Sequence, residues 1–154
     1  MTKHSAIDIA RWFVEWAAAE DAELSNLKLQ KLLYFAQGHF MDLTGGSPLF
    51  EDDMEAWAHG PVVPSVYREY KKFGSGNIQP DDAAFDWDSY EVEVGEFLVA
   101  CWNTYGAMAA WKLRNITHTQ EPWLKHFTPD ERFIRIPKDD LKAYFAGKSK
   151  ITPA

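Results

Sequence analysis

Few side chains of this sequence are able to do acid–base or covalent chemistry, and none of them is arranged for it. The chain has five histidines and one cysteine. A metal ion needs several ligands that converge on it, and such sites are typically visible as short spacings such as His-Glu-x-x-His. His59 follows an acidic run at 51–53, and His118 precedes His126, but neither arrangement has such a spacing. We therefore predict no metal-ligating residue and no cofactor.

The candidate nucleophiles are equally weak. Cys101 falls on the apolar side of a predicted helix, so we expect a buried and unreactive thiol. No serine lies in a Gly-x-Ser-x-Gly elbow, and no glycine pair is followed by the lysine of a phosphate loop. His39, on another predicted helix, fits a packed or surface histidine. The sequence thus names no catalytic residue and favours a protein that is not an enzyme, with an uncharacterised metal-dependent hydrolase as the alternative.

The negative charge of the chain is concentrated in one stretch. The formal net charge is −7, and no lysine or arginine lies between Phe73 and Trp111. That stretch carries seven acids: Asp81, Asp82, Asp86, Asp88, Glu91, Glu93 and Glu96. Binding to a nucleic-acid duplex requires several cations against the phosphates, so this composition argues against a nucleic-acid partner. The acids fit either a solvated loop or a surface that speeds the approach of a basic partner.

Aromatic rings are abundant, and some of them lie where loops are predicted. The chain has 7 Trp, 10 Phe and 6 Tyr. The rings and the proline that fall outside helical stripes are Trp57, Tyr67, Trp87, Pro122 and Trp123. Such rings either pack over the core or form a binding surface, where Trp and Tyr are the usual anchors. Residues 59–64 contain two prolines and are predicted to form a rigid loop, which would present its neighbours with little ordering cost.

The clearest predicted element is a long second helix that Ser25 or Asn26 can cap. Its apolar residues recur at three- and four-residue steps, whereas Lys28, Lys31 and Asp42 are predicted to face elsewhere. The predicted core stripe of this helix is Leu29, Leu32, Leu33, Ala36, Phe40 and Leu43. A glycine pair at 45–46 ends it.

Shorter elements surround this helix. Ser5 and Asp8 form an approximate capping box that opens a first helix. A third helix is predicted to begin at Pro64 and a fourth at Ser89. The remaining predictions are a fifth helix over 107–116, a helical turn over 119–123, a strand over 133–136 able to pair with the segment around Ala56, and a last helix over 139–145.

These elements predict a mainly α fold. We expect a single compact helical domain over residues 1–154, with about six helices, at most one short two-stranded β-ribbon, and a frayed tail over 146–154. No apolar run approaches the length that spans a bilayer, so we expect no membrane partner. The first residues lack the apolar stretch of a secretory signal, and a single cysteine excludes an internal disulfide. A cytoplasmic protein is expected.

Three motifs, in this order, resemble a known family. Residues 27–35 read Leu-Lys-Leu-Gln-Lys-Leu-Leu-Tyr-Phe, and residues 56–67 read Ala-Trp-x-x-Gly-Pro-Val-x-Pro-x-Val-Tyr, followed by Phe73 and Gly74. Residues 117–123 then read Thr-His-x-x-x-Pro-Trp. Together they resemble the Panacea domain, the SocA-like antitoxin family, whose members are often carried by phages and mobile elements. The resemblance extends over about residues 5–145.

The resemblance implies a non-enzymatic antitoxin that neutralises a toxin by direct protein–protein binding. The toxin would be encoded by the adjacent gene, and its identity is not specified, because the toxins of the family differ. One branch of the family instead hands its toxin to the ClpXP protease, so the alternative is a proteolytic adaptor with a AAA+ protease as a further partner.

The loop aromatics and the resemblance point to the same residues as the toxin interface. We predict that the interface contains Trp57, His59, Gly60, Pro61, Val62, Tyr67, His118, Pro122 and Trp123. We also predict that Asp81, Asp82, Asp86 and Asp88 border it and steer a basic toxin towards it.

Overall fold

The computed structural model describes residues 4–81 and 84–149 and is mainly α-helical, as predicted. Its helices in this part of the chain are α1 (Ala6–Ala19), α2 (Asn26–Leu43), α3 (Pro64–Tyr70), α4 (Val92–Tyr105), α5 (Ala110–Thr117), α6 (Glu121–Leu124) and α7 (Lys138–Phe145). Its strands are β1 (Met54–Trp57), β2 (Gly60–Val62) and β3 (Ile134–Ile136). Within the described residues, no helix is both long enough and apolar enough to cross a membrane.

The first two helices begin where their caps were predicted. The Ser5 hydroxyl accepts a hydrogen bond from the Asp8 amide, and the Asp8 carboxylate accepts one from the Ser5 amide, which completes a capping box. The Ser25 hydroxyl caps α2 by accepting from the Lys28 amide at 3.2 Å. These side chains satisfy amide groups that have no partner inside the helix, and this fixes where each helix starts.

Helix α2 is the centre of the molecule, with α1, α3, α4, α5, α7 and β2 packed against it. This corrects the expectation that Lys28 and Lys31 face away from the core: they are 8% and 0% exposed. Leu43, predicted for the core stripe, is 46% exposed at the end of the helix. Over residues 26–41 the helix is enclosed by its neighbours, so the polar residues in this part are buried as well.

The sheet has three antiparallel strands in the order β2-β1-β3. The pairing of β3 with the segment around Ala56 is confirmed, with Ile134 opposite Ala56. The sheet has one strand more than the predicted two-stranded ribbon. The additional strand is β2, which lies within the predicted rigid loop at 59–64 and has Pro61 opposite Ala56. Proline is tolerated there because β2 is an edge strand, where a missing N–H breaks no ladder on the outer side.

The fourth and fifth helices begin later than predicted. Ser89 belongs to a separate 3₁₀ turn at Trp87–Ser89, and α4 starts at Val92. The Asp86 carboxylate accepts a hydrogen bond from the Asp88 amide and so caps this turn separately from α4. The turn places the Trp87 ring edge-on against Trp12 and Trp16, at centroid distances of 5.8 Å each. Trp87 therefore covers the core beside α1.

Candidate functional site

A row of polar side chains on α2 ties the three family-like motifs into one unit. The row, called the α2 polar row below, consists of Lys28, Gln30, Lys31, Tyr34 and Gln37. Lys31 Nζ donates to the carbonyl of Pro61 at 2.9 Å, and the Val63 amide donates to Gln30 Oε1 at 2.8 Å. The first motif thus holds the backbone of the second.

The same row reaches the segments on the other sides of α2. The Tyr34 hydroxyl donates to Gln120 Oε1 at 2.8 Å, which connects the first motif to the third. The Gln37 amide donates to the Phe50 carbonyl at 2.8 Å and accepts from the Leu49 amide at 2.7 Å. Lys28 Nζ likewise donates to the Gly106 carbonyl. Four of the five side chains in the row therefore bond main-chain groups. Buried polar groups need such partners, and these meet that need.

Lys31 is a buried cation next to the second motif. Burial, with a smaller contribution from the nearby Arg114 guanidinium, lowers the pKa of Lys31 to about 7. Gly60 makes the close approach possible: a Cβ at this position would lie 2.7 Å from Lys31 Cε and 2.8 Å from Thr117 Oγ1. The backbone of Gly60 also has φ +110°, a conformation that favours glycine.

The third motif closes over the second from outside. The Trp123 indole donates to the Trp57 carbonyl at 2.7 Å, and His118 stacks on Trp123 with ring centroids 3.8 Å apart. Burial lowers the pKa of His118, and the cations Arg114 and Lys31 add to that effect. Pro122 and Trp123 are buried. Of the predicted interface residues, His118, Pro122 and Trp123 therefore position the sheet more than they face solvent.

Gly60, Pro61 and Val62 also lie inside the molecule. All three are buried as the edge strand β2. The structure thus brings the predicted interface residues together, and among them Trp57, Tyr67 and His118 are half-buried and His59 is exposed.

Trp57 lies at the middle of an exposed set of rings. Its ring contacts Tyr67 edge-on at a centroid distance of 4.9 Å and Phe133 at 6.2 Å. The indole N–H donates to Glu55 Oε1 at 2.9 Å, which fixes the ring's orientation. Phe133 is 65% exposed and precedes β3.

Trp111, on α5, extends this set and was missed by the sequence analysis. It is 54% exposed, and the Arg114 guanidinium lies 4.4 Å from its ring centroid. His59 joins them, since Arg114 Nε donates to His59 Nδ1 at 3.3 Å. Helical spacing could have identified Trp111 as exposed. It lies about 200° around α5 from the buried Leu113 and therefore on the opposite face. We call Trp57, Tyr67, Trp111 and Phe133 the aromatic face.

Two hollows flank Trp57 on this face. One, of about 520 Å³, lies between Trp57 and Trp111 and has Tyr67, Val62 and Leu27 among its apolar lining. The other, of about 420 Å³, lies between Trp57 and Phe133 and is closed by Phe127 and Pro129. Both volumes fall in the range of ligand-binding clefts.

Two of the predicted steering residues, Asp81 and Asp86, lie beside α1 and line neither of these hollows. Asp81 lines a groove with Arg11 and Tyr70, and Asp86 lines another with Arg11 and His4. Asp88 belongs to the 3₁₀ turn that carries Trp87. The remaining predicted steering residue, Asp82, lies outside the described residues.

The other side chains considered for chemistry are held inside the fold. Cys101 is 0% exposed, and burial raises the pKa of its thiol. His39 is packed, with ring nitrogens 2.7 Å from the hydroxyls of Ser149 and Tyr105, and burial lowers its pKa to about 4. Among residues 4–81 and 84–149, no group of His, Cys, Asp and Glu is arranged to hold a metal ion.

Comparisons with known proteins bear on the same region. A curated relative, "Antitoxin SocA" of Caulobacter vibrioides (strain NA1000 / CB15N), is 48% identical over 66 residues, which are 43% of this chain and 35% of the relative. The match thus spans about a third of the relative's length. No solved structure matches the chain. The family model "Antitoxin SocA-like, Panacea domain" matches residues 29–124, from Leu29 in α2 to the end of α6, which include most of the first motif and all of the other two, and the chain belongs to this family.

Proposed function

We propose that this protein is a cytoplasmic antitoxin that neutralises a cognate toxin by binding it directly, without catalysis. The observation that carries the proposal is the aromatic face, where Trp111 and Phe133 are 54% and 65% exposed at the surface of a family-specific scaffold. Exposed rings that lie together, flanked by hollows, are typical of protein–protein interfaces.

The scaffold beneath the face supports this proposal because it holds the rings rigidly. Trp57 is fixed by its bond to Glu55 and by the bond from Trp123 to its carbonyl. Trp111 is held against Arg114. Rings that are already ordered lose little conformational entropy on binding, so more of the burial energy is available for affinity.

The predicted interface residues divide into two roles under this proposal. Trp57, His59 and Tyr67 contact the toxin together with Trp111 and Phe133. Gly60, Pro61, Val62, His118, Pro122 and Trp123 support those residues from below, through the Lys31 and Trp123 hydrogen bonds described above.

The experiment is a neutralisation and binding assay with the toxin encoded by the neighbouring open reading frame. The double variant Trp111→Ala/Phe133→Ser removes two exposed rings, and we expect the dissociation constant to rise by about 100-fold or more, with loss of growth rescue on co-expression. The matched control is Val92→Ser/Leu43→Ser, which removes two apolar side chains that are 70% and 46% exposed elsewhere. Normal neutralisation by a folded Trp111→Ala/Phe133→Ser variant would refute this placement of the interface.

Measurement of toxin abundance in the same cells separates two modes of action. Sequestration leaves the amount of toxin unchanged while its effect is lost. An adaptor for a ClpXP-type AAA+ protease lowers the amount of toxin, and deletion of the protease restores it. The proposal of direct neutralisation predicts the first result.

A further inference from the structure

The hollow between Trp57 and Trp111 has an apolar floor without free polar groups. Asn26 and Gln30 lie in its wall but are 4% and 1% exposed. The Asn26 amide donates to the Tyr67 carbonyl at 3.2 Å, and the Gln30 amide donates to Asn26 Oδ1 at 2.9 Å. Because these groups are already paired, the floor offers contact area and few hydrogen bonds. It suits an apolar side chain.

The rim of this hollow carries a cation: Lys71 is among its lining residues, and the lining contains no carboxylate. Arg114 stands above Trp111 and donates through Nε to His59 and through Nη1 to Asn115, at 3.3 and 3.0 Å. These contacts hold the guanidinium in place, and a positioned guanidinium is suited to bind a carboxylate with two hydrogen bonds.

Glu55, which contacts Trp57 in this wall, is already engaged, because it accepts the Trp57 indole N–H at 2.9 Å. Asp81 and Asp86 of the negatively charged stretch line grooves beside α1, with Arg11. The local charge at the hollow is therefore opposite in sign to the net charge of −7.

We infer that the hollow between Trp57 and Trp111 binds an acidic peptide segment of the partner, with an apolar side chain on the floor and flanking carboxylates on Arg114 and Lys71. The inference rests on the proposed function for the identity of the partner as a toxin, and it adds the chemistry of the segment that docks. A partner that reaches both charged regions presents this acidic segment to the hollow and its own cations to the stretch beside α1.

The test uses the full chain labelled with ¹⁵N, in which the indole N–H signals of Trp57 and Trp111 report on the hollow. The probe is a blocked peptide, Glu-Asp-Phe-Leu-Glu-Asp, titrated to millimolar concentration, and the matched peptide is Lys-Lys-Phe-Leu-Lys-Lys. We expect saturable shifts of both indole signals with the acidic peptide. We expect at least a tenfold weaker effect with the basic one.

Charge reversal at the rim completes the test. Arg114→Glu is expected to weaken binding of the acidic peptide by about tenfold or more. The control Lys142→Glu reverses an exposed charge near Gly46, beyond the opposite end of α2, and is expected to have no effect. Absence of shifts with the acidic peptide, or equal shifts with the basic one, would overturn the inference.

The toxin assay distinguishes this failure from failure of the proposed function. If Trp111→Ala/Phe133→Ser abolishes neutralisation while Arg114→Glu improves it, the face binds a toxin but the docking segment is not acidic. If the peptide binds as expected while Trp111→Ala/Phe133→Ser neutralises normally, the hollow takes acidic segments and the proposed interface is wrong.

Discussion

Two clusters of aromatic rings lie in this molecule, and they differ in what covers them. In the cluster beside α1, Trp12 stacks on Trp16 with centroids 5.0 Å apart, and Trp87 closes over both. On the aromatic face, Trp57 and Tyr67 meet edge-on, but Trp111 and Phe133 remain more than half exposed. Each cluster contains a tryptophan that the sequence placed in a loop, Trp87 in one and Trp57 in the other, so a ring in a predicted loop does not by itself indicate a binding surface. The absence of a covering ring among the described residues distinguishes the second cluster.

The comparison predicts stability losses of very different size for two tryptophan variants, and this is the largest expected difference. Trp12 is 3% exposed, so Trp12→Ala is expected to lower the free energy of unfolding by about 3–5 kcal/mol. Trp111→Ala is expected to lower it by less than about 1 kcal/mol, because little surface is uncovered. Urea unfolding followed by circular dichroism measures both. A Trp111→Ala variant as destabilised as Trp12→Ala would show that both clusters are structural.

The two clusters also differ in the residues packed beneath them, and the pH dependence of the free energy of unfolding tests this difference. The aromatic face rests on Lys31, whose pKa is lowered from 10.5 to about 7 by burial. Between these values the unfolded chain binds more protons than the folded chain, so this lysine makes the protein more stable as pH rises from about 7 towards 10. Below pH 7 both states are protonated, and the cost of burying the ammonium group is fully present.

The variant Lys31→Met should remove that pH-dependent gain. The difference in unfolding free energy between the wild type and Lys31→Met is expected to shift in favour of the wild type from pH 7 to 10. Raised tyrosine pKa values, such as that of Tyr70 at about 12, act above this window. Lys142→Met, at an exposed lysine, provides the control. Parallel stability curves for the wild type and Lys31→Met would contradict the assignment of Lys31 as a buried titrating group.

The smallest expected effect concerns the charge beside the covered cluster. If Asp86 and Asp88 steer a basic toxin, Asp86→Asn/Asp88→Asn should slow association by about 2–10-fold at low salt and leave dissociation unchanged. The difference should vanish at high salt, where exposed charges are screened. Stopped-flow association at two salt concentrations measures it. A faster association of the variant would show that these acids repel the partner.

Much of the helical fold was predictable because local signals define it. Ser5, Asp8 and Ser25 mark helix starts through side-chain bonds that act within four residues, and such bonds do not depend on the rest of the fold. The alternation over 133–136 predicted β3, which the structure begins one residue later, at Ile134. The edge strand at Gly60–Val62 was not predictable, because Pro61 argues against a strand unless the sheet edge is known.

The candidate site was only partly predictable because burial is a property of the whole fold. Lys31 follows the pattern of a solvent-facing charge, and only the packing of β2 and α5 onto α2 encloses it. The two most exposed rings of the aromatic face, Trp111 and Phe133, were overlooked for a related reason. Each lies inside a predicted element, Trp111 in the fifth helix and Phe133 in the strand over 133–136, and the side on which its ring emerges depends on how that element packs.

The α2 polar row holds the neighbouring segments through hydrogen bonds to their main-chain groups, at Pro61, Val63, Gly106 and Phe50. Main-chain oxygens and amides are much the same whatever residue supplies them. Replacement of an outward side chain such as Trp111 therefore leaves these hydrogen bonds intact. A protein built this way can exchange the residues that choose its partner, one substitution at a time, without passing through unfolded intermediates in its evolutionary history.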